Sequence, residues 1–273
     1  MRFGTAGIPL STENKTTLNG IARVKELGLD GMELEFVHSV NISSEKAPEV
    51  KQKKEESGIM LTCHGQYYIN LSSLEKEKIA ASKERVLKAA RAAFACGASS
   101  MTFHAGFYMK QTKEQVYDQI KSALTEITKT LQDEGNTIFI RPELTGKGTQ
   151  WGELPELIKI SQEVEQVLPC IDFAHQHART NGKWNSKQEF SRMLEEMEKG
   201  LGKESLKNMH CHVSGIEYGE KGERNHLLLD DSDFKYRELL EALKEFSCEG
   251  IIICESPNIE DDCLLLKRTY GSL

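Results

Sequence analysis

No apolar run in this chain is long enough to cross a membrane. The longest, such as Gly250-Ile251-Ile252-Ile253-Cys254, cover a few residues, whereas a span needs about 20. The opening Met1-Arg2-Phe3-Gly4 lacks the apolar h-region of an export signal, so a cytoplasmic protein without membrane contact is expected. There is no Cys-x-x-Cys among the cysteines at 63, 96, 170, 211, 248, 254 and 263, and their number is odd. That pattern argues against a disulfide framework or a thiolate zinc site and for reduced, buried thiols. An excess of positive charge is also missing. The formal net charge is −7, the opposite of a general nucleic-acid binder, although divalent cations in a site would invert the local potential that a phosphate meets. No linker or low-complexity tract divides the chain, and 273 residues suit a single domain over 1–273.

What is present is an alternation. Apolar residues at helical spacing run through 82–96 (Val86, Leu87, Ala90, Ala93, Phe94, then Gly97) and through 113–134 (Val116, Ile120, Ala123, Leu124, Ile127, Leu131, then Gly135). Residues 236–246 repeat the device with Leu239, Leu240, Leu243 and Phe246. Further helices are expected near 13–27, 45–57, 153–166, 186–199 and 260–269. Strands are expected near 2–6, 31–36, 59–63, 99–103, 137–142, 168–172, 207–213 and 250–255. Eight strands alternating with helices demand parallel pairing, and about 250 residues is what a (β/α)₈ TIM barrel needs. The competing doubly wound sheet lacks its usual Gly-x-Gly-x-x-Gly after the first strand. The longest irregular stretch, 214–234, reads as a loop at the active-site face.

Six of these strands end in metal-ligand residue types: His64, His104, Glu143, Asp172, His212 and Glu255. A single strand-end histidine is more often a hydrogen-bonded structural residue than a ligand. The coincidence carries the argument, because strand ends in a barrel converge on one mouth, and so many buried polar groups would be costly without partners. Imidazoles with carboxylates suit zinc, manganese or iron. Asp172 and His175 form Asp-x-x-His, with His177 an alternative to His175. His210 and His212 point to one face of a strand, with Cys211 opposite. Glu35 reads as a substrate contact or a support for the ligands, and His38 as a surface residue. Glu143 could instead pair with Arg141. Tyr67, after His64, could stack on a base or sugar or pack the loop onto the rim.

These residues together resemble the endonuclease IV family, metal-dependent apurinic/apyrimidinic endonucleases on a TIM barrel. The resemblance spans nearly the whole chain. It rests on His64-x-x-Tyr67-x-Ile69-Asn70-Leu71, His104-x-Gly106, Glu143-x-Thr145-x-Lys147-Gly148-Thr149-x-x-Gly152, Asp172-x-x-His175, and the strand-end His212 and Glu255. It implies up to three zinc ions, with manganese the alternative. His64 and His104 would hold the first ion; Asp172, His212 and Glu255 the second; Glu143 would bridge the two. His175 and His226 would serve the third, where the family's Asp-x-His is replaced by Glu223-Arg224-Asn225-His226, so that Glu223 takes the aspartate's part at a different spacing. Tyr67 matches a position that probes the DNA helix. The implied reaction is hydrolysis of the phosphodiester 5′ to an abasic site in double-stranded DNA, for base excision repair, by a monomer. A sugar isomerase or epimerase on the same barrel is the rival enzyme. It would hold one divalent ion on Glu143, Asp172, His212 and Glu255, with Glu143 and Glu255 free to move protons. A metal-stabilised lesion binder without turnover is a third reading.

Overall fold

The computed structural model describes residues 1–273. In chain order the elements are β1 (Arg2–Ala6), α1 (Thr17–Glu26), β2 (Gly31–Glu35), α2 (Ala47–Ser57), β3 (Met60–His64), α3 (Lys76–Ala95), β4 (Ser100–Phe103), α4 (Lys113–Asp133), β5 (Phe139–Pro142), α5 (Leu154–Glu163), β6 (Cys170–Asp172), α6 (Phe173–Arg179), α7 (Lys187–Leu201), α8 (Lys203–Lys207), β7 (Met209–Val213), β8 (Gly215–Gly219), β9 (Gly222–Leu227), α9 (Tyr236–Glu245), β10 (Gly250–Cys254) and α10 (Glu260–Ser272). Eight of the strands form one all-parallel sheet in the order β5-β4-β3-β2-β1-β10-β7-β6. Isolated parallel bridges Ile140–Val167 and Glu143–Cys170 join its two edges, so the sheet is a nearly closed (β/α)₈ barrel. All eight expected strands are present, within a residue or two of the expected ends.

The alternation inside the strands runs opposite to that of a solvent-facing sheet. Met32, Leu34 and Phe36 are buried, as are Leu61 and Cys63, and they pack in the shared apolar core under the helices. The intervening Glu33, Thr62 and His64 are equally buried but turn into the barrel, where the Thr62 hydroxyl donates to Glu33 Oε2 at 2.7 Å. Each fully buried aliphatic side chain of the outer layer contributes roughly 1.5–3 kcal/mol. That layer stabilises an interior that is polar at its C-terminal end. All seven cysteines are buried and unpaired.

Two features next to the strand ends differ from the sequence expectation. Residues 214–234 are not an irregular loop: β8 and β9 pair antiparallel as a hairpin, with a register shift between Glu217 and Tyr218. The hairpin is inserted between barrel strands β7 and β10. The short α6 was not anticipated either. It follows β6 directly, and the Asp172 side chain caps it by accepting from the His175 backbone N–H at 2.7 Å.

The last residue of α6 organises the loop between β5 and α5. Arg179 donates to the carbonyls of Thr145, Lys147 and Gln150, to the Thr145 hydroxyl and to Glu153. Arg179→Met should therefore leave loop carbonyls without donors, at a cost of roughly 1–3 kcal/mol. Hydrogen exchange of the amides from Thr145 to Gln150 should accelerate selectively. Unchanged protection there would show that the loop holds itself.

Candidate metal centre

The C-terminal ends of β3, β4, β5, β6, β7 and β10 deliver His64, His104, Glu143, Asp172, His212 and Glu255 to one mouth. Three donor sets form, each with its ligand atoms within 4.8 Å of one another: His64, His104 and Glu143; Glu143, Asp172, His212 and Glu255; and His175, Glu223 and His226. Every ligand that the family resemblance implies falls in one of them. Glu143 belongs to two. Its Oε2 lies 3.4 Å from both His64 Nε2 and His104 Nε2, while its Oε1 lies 3.3 Å from His212 Nδ1 and 3.2 Å from His175 Nδ1. The third set closes with His175 Nε2 at 3.5 Å from Glu223 Oε2.

These separations indicate what the sets would hold. A charge-assisted hydrogen bond measures about 2.7–2.9 Å. Ligand atoms about 2.0–2.1 Å from a tetrahedral ion stand about 3.3–3.4 Å apart, the spacing seen here. Buried Glu143 Oε2, Asp172 Oδ2 and Glu255 Oε2 have no hydrogen-bond donor, and cations held in the first two sets would satisfy them. The imidazoles are oriented as ligands commonly are, with the second nitrogen tied back. His64 Nδ1 meets the Gly65 carbonyl at 2.7 Å, His175 Nδ1 the Leu144 carbonyl at 3.0 Å, and His226 Nδ1 the Glu255 carbonyl at 3.2 Å. Each leaves Nε2 facing the centre.

Several motif residues outside the sets position them. A side chain at Gly106 would collide with Ser72 Oγ and meet Asn70 Oδ1 at 3.1 Å. Ser72 in turn bonds both the N–H and the carbonyl of Phe107. The loops carrying His64 and His104 are thereby locked together. At Gly146 an added Cβ would lie 2.6 Å from the Glu223 Cβ and 2.9 Å from His175 Cδ2. Only glycine lets the hairpin seat, with the Glu223 N–H donating to the Gly146 carbonyl at 3.0 Å.

His177 is not in the cluster: its Nε2 lies 3.0 Å from Asp233, and its ring packs on Tyr218 and Phe234. Arg141 does not pair with Glu143 but donates to Pro169 O and to Asn208. His38 is exposed and stands edge-on to Tyr67. Glu35 is half-buried beside the cluster with Oε1 unpartnered, and desolvation together with neighbouring Glu33 raises its pKa to about 8. Sequence reading passed over Glu33, whose carboxylate lies 2.9 Å from the Nε2 atoms of both His210 and His212. Its place on the same face of β2 as Glu35 was the available signal.

Burial penalises the Glu143 charge, but the imidazoles of His104 and His212 outweigh it and hold the group well below the ordinary range. Asp172 is pushed up to about 7, chiefly by burial, with Glu255 and Glu143 adding repulsion. Burial opposes charge on His64, yet the adjacent Glu143 carboxylate raises it to about 10.

The chain matches the family described as xylose isomerase-like TIM barrel over residues 21–269. It is 43% identical to an uncharacterized protein of Methanocaldococcus jannaschii, across 99% of this chain and 97% of that one. It is 24% identical to a probable endonuclease 4 of Mycoplasma pneumoniae, across 74% of this chain and 69% of the relative. Among solved structures it superposes on a D-tagatose 3-epimerase-like protein with a TM-score of 0.76 at 19% identity, covering 100% of this chain and 96% of that one. Endonuclease IV from Thermus thermophilus gives 0.73 at 17% identity, covering 100% of this chain and 98% of that one. Both structural likenesses concern the fold.

Two outcomes are expected. Gly146→Ala should weaken metal binding at the His175/Glu223/His226 set alone, read as loss of one step in a zinc titration; retention of every step would dissociate Gly146 from that site. In the metal-free protein His64 is protonated below about pH 10 and Asp172 below about 7. An incoming ion must displace those protons, so affinity should rise with pH from about 6 to about 8. Calorimetry in buffers of different ionisation enthalpy should show net proton release at about pH 6, and no release would contradict this charge assignment.

Proposed function

The chain belongs to the xylose isomerase-like TIM barrel family, and on that premise we propose that it is a metal-dependent apurinic/apyrimidinic endonuclease, cutting the DNA phosphodiester 5′ to an abasic site. The observation that carries this reading is Glu143, each of whose carboxylate oxygens faces a different pair of imidazoles. A carboxylate so shared suits two neighbouring ions, and His175, Glu223 and His226 supply donors for a third. The relative named probable endonuclease 4 supports the same direction.

Ions bound in these sets would make a coordinated water acidic near neutral pH and offset charge on the phosphate and on the departing 3′-oxygen. The protein's own contribution is to fix the donors and present the lesion. Glu143, Asp172 and Glu255 put three carboxylates within one buried mouth. On the rim, Tyr67 and Tyr68 are 59% and 64% exposed, and Tyr67 stands edge-on to His64 with ring centroids 5.8 Å apart. Burial and the surrounding acids hold the Tyr67 phenol up to about 12, so it meets DNA neutral. Exposed aromatic rings of this kind stack on bases in a sequence-tolerant way. An abasic nucleotide has no base to unstack, which makes its displacement from the helix cheap. The products would be a 3′-hydroxyl and a 5′-deoxyribose phosphate.

One observation favours the rival. Glu143, Asp172, His212 and Glu255 alone make a complete four-donor set, enough for a one-ion sugar epimerase with Glu143 and Glu255 as proton-transfer groups. His64, His104 and the His175 set are surplus to that chemistry.

Metal-loaded protein should nick a labelled duplex carrying one abasic site, leave an intact duplex untouched, and contain close to three ions per chain. Glu143→Gln should lower nicking by at least about 100-fold, since even residues that only support a ligand cost roughly 10–100-fold. Protein holding its ions that leaves the abasic duplex whole, or that carries about one ion and turns over a ketose, would overturn the endonuclease reading.

A further inference from the structure

Beneath the mouth lies a second cluster, Cys170, His210 and His212, which invites reading as a fourth metal site. Glu33 argues against that. This fully buried carboxylate reaches across the barrel, with Oε1 2.9 Å from His212 Nε2 and Oε2 2.9 Å from His210 Nε2. Oε2 also accepts from the Thr62 hydroxyl at 2.7 Å. The far nitrogen of His210 meets Ser100 Oγ at 3.0 Å. These are hydrogen-bond lengths, shorter than the 3.3–3.5 Å His–carboxylate spacings within the sets at the mouth. The layer is a set of close carboxylate–imidazole contacts, with the carboxylate on β2 and the imidazoles on β7.

We propose that Glu33 is a positioning residue of the metal centre: its carboxylate, 2.9 Å from His212 Nε2, favours the proton on that nitrogen and so leaves the lone pair of the imidazole on Nδ1, which faces the Asp172/Glu255 set. His212 Nδ1 lies 3.3 Å from Glu143 Oε1 and 3.4 Å from Glu255 Oε2. His64 and His226 are tied back by backbone carbonyls, and His175 by a carbonyl beside Asp172, itself in the cluster. His212 is tied by a carboxylate that takes no part in any of the three sets. A carboxylate in this place fixes the tautomer, restrains the ring and makes the ligand nitrogen more basic. The Thr62 hydroxyl, donating to Oε2, sets the carboxylate's own orientation.

The inference rests on the reading of His212 as a metal ligand, and its test measures binding rather than cleavage, so it stands or falls whatever the substrate is. Metal-free full-length protein is titrated with zinc by calorimetry, alongside thermal unfolding, for the wild type, Glu33→Gln and Ser100→Ala. Glu33→Gln keeps the shape but turns an N–H toward one imidazole; one metal-binding step should weaken roughly 10–100-fold. Ser100→Ala disturbs the same buried layer without touching His212; it should lower the unfolding temperature and leave every binding step at wild-type affinity. Wild-type affinity in Glu33→Gln would overturn the proposal. So would an equal loss in Ser100→Ala, which would make the effect one of general stability. Should Glu33→Gln not fold, Glu33→Asp carries the comparison. Its carboxylate falls short of the two imidazoles, the same step should weaken, and unchanged affinity would again refute the role.

Discussion

The arrangement depends on one buried carboxylate that four imidazoles share. Glu143 is 1% exposed, and an ionised carboxylate in such a place is tolerated only when it is paired. His64, His104, His175 and His212 provide that pairing from β3, the end of β4, α6 and β7. Because the four approach two different oxygens, the group divides the mouth into two halves while belonging to both. The remaining donors, Asp172 and Glu255 beside His212 and Glu223 with His226 beside His175, lie around it.

Precision in such a site comes from what stands behind the ligands. Ordinary barrels fill the interior with branched aliphatic side chains. Here the interior below the mouth is a polar layer of Glu33, Thr62, Ser100, His210 and Arg141, all buried. Aliphatic packing has moved outward, beneath the helices. The third donor set is built differently: two of its members ride on the β8–β9 hairpin, which seats on the glycine loop after β5. Tyr218 and His177 converge on Asp233 to pin the same hairpin to α6. The site thus combines a rigid pair of sets on barrel strands with a third whose geometry depends on one docked insertion.

Structural likenesses to an epimerase-like protein and to an endonuclease IV are of similar extent. Fold therefore does not discriminate between them. A net charge of −7 is no obstacle to a phosphate-bearing substrate if the mouth holds several divalent ions, since bound cations are then the largest local charges.

The period of the apolar residues was enough to determine eight strands, their parallel pairing and the ligand types at their ends, because helix and strand repeats differ in the chain itself. It could not reveal the hairpin at 215–227, whose strands are short and rich in glycine and polar residues, nor α6, whose seven residues are too few for a period to emerge. Glu33 was overlooked for an instructive reason. In Met32-Glu33-Leu34-Glu35-Phe36, alternation suggests acids turned to water, but helices cover the outside of a barrel, so the apolar residues face out and the acids face in. Likewise Arg141 stands two residues from Glu143, and only the structure gives it Asn208 and Pro169 as partners. The sequence by itself determined which donors sit at the ends of the strands. Which donors share a partner, and which imidazole nitrogen faces inward, only the tertiary structure decided, because groups as far apart in the chain as His64 and Glu255 are brought together by closure of the barrel and by nothing local.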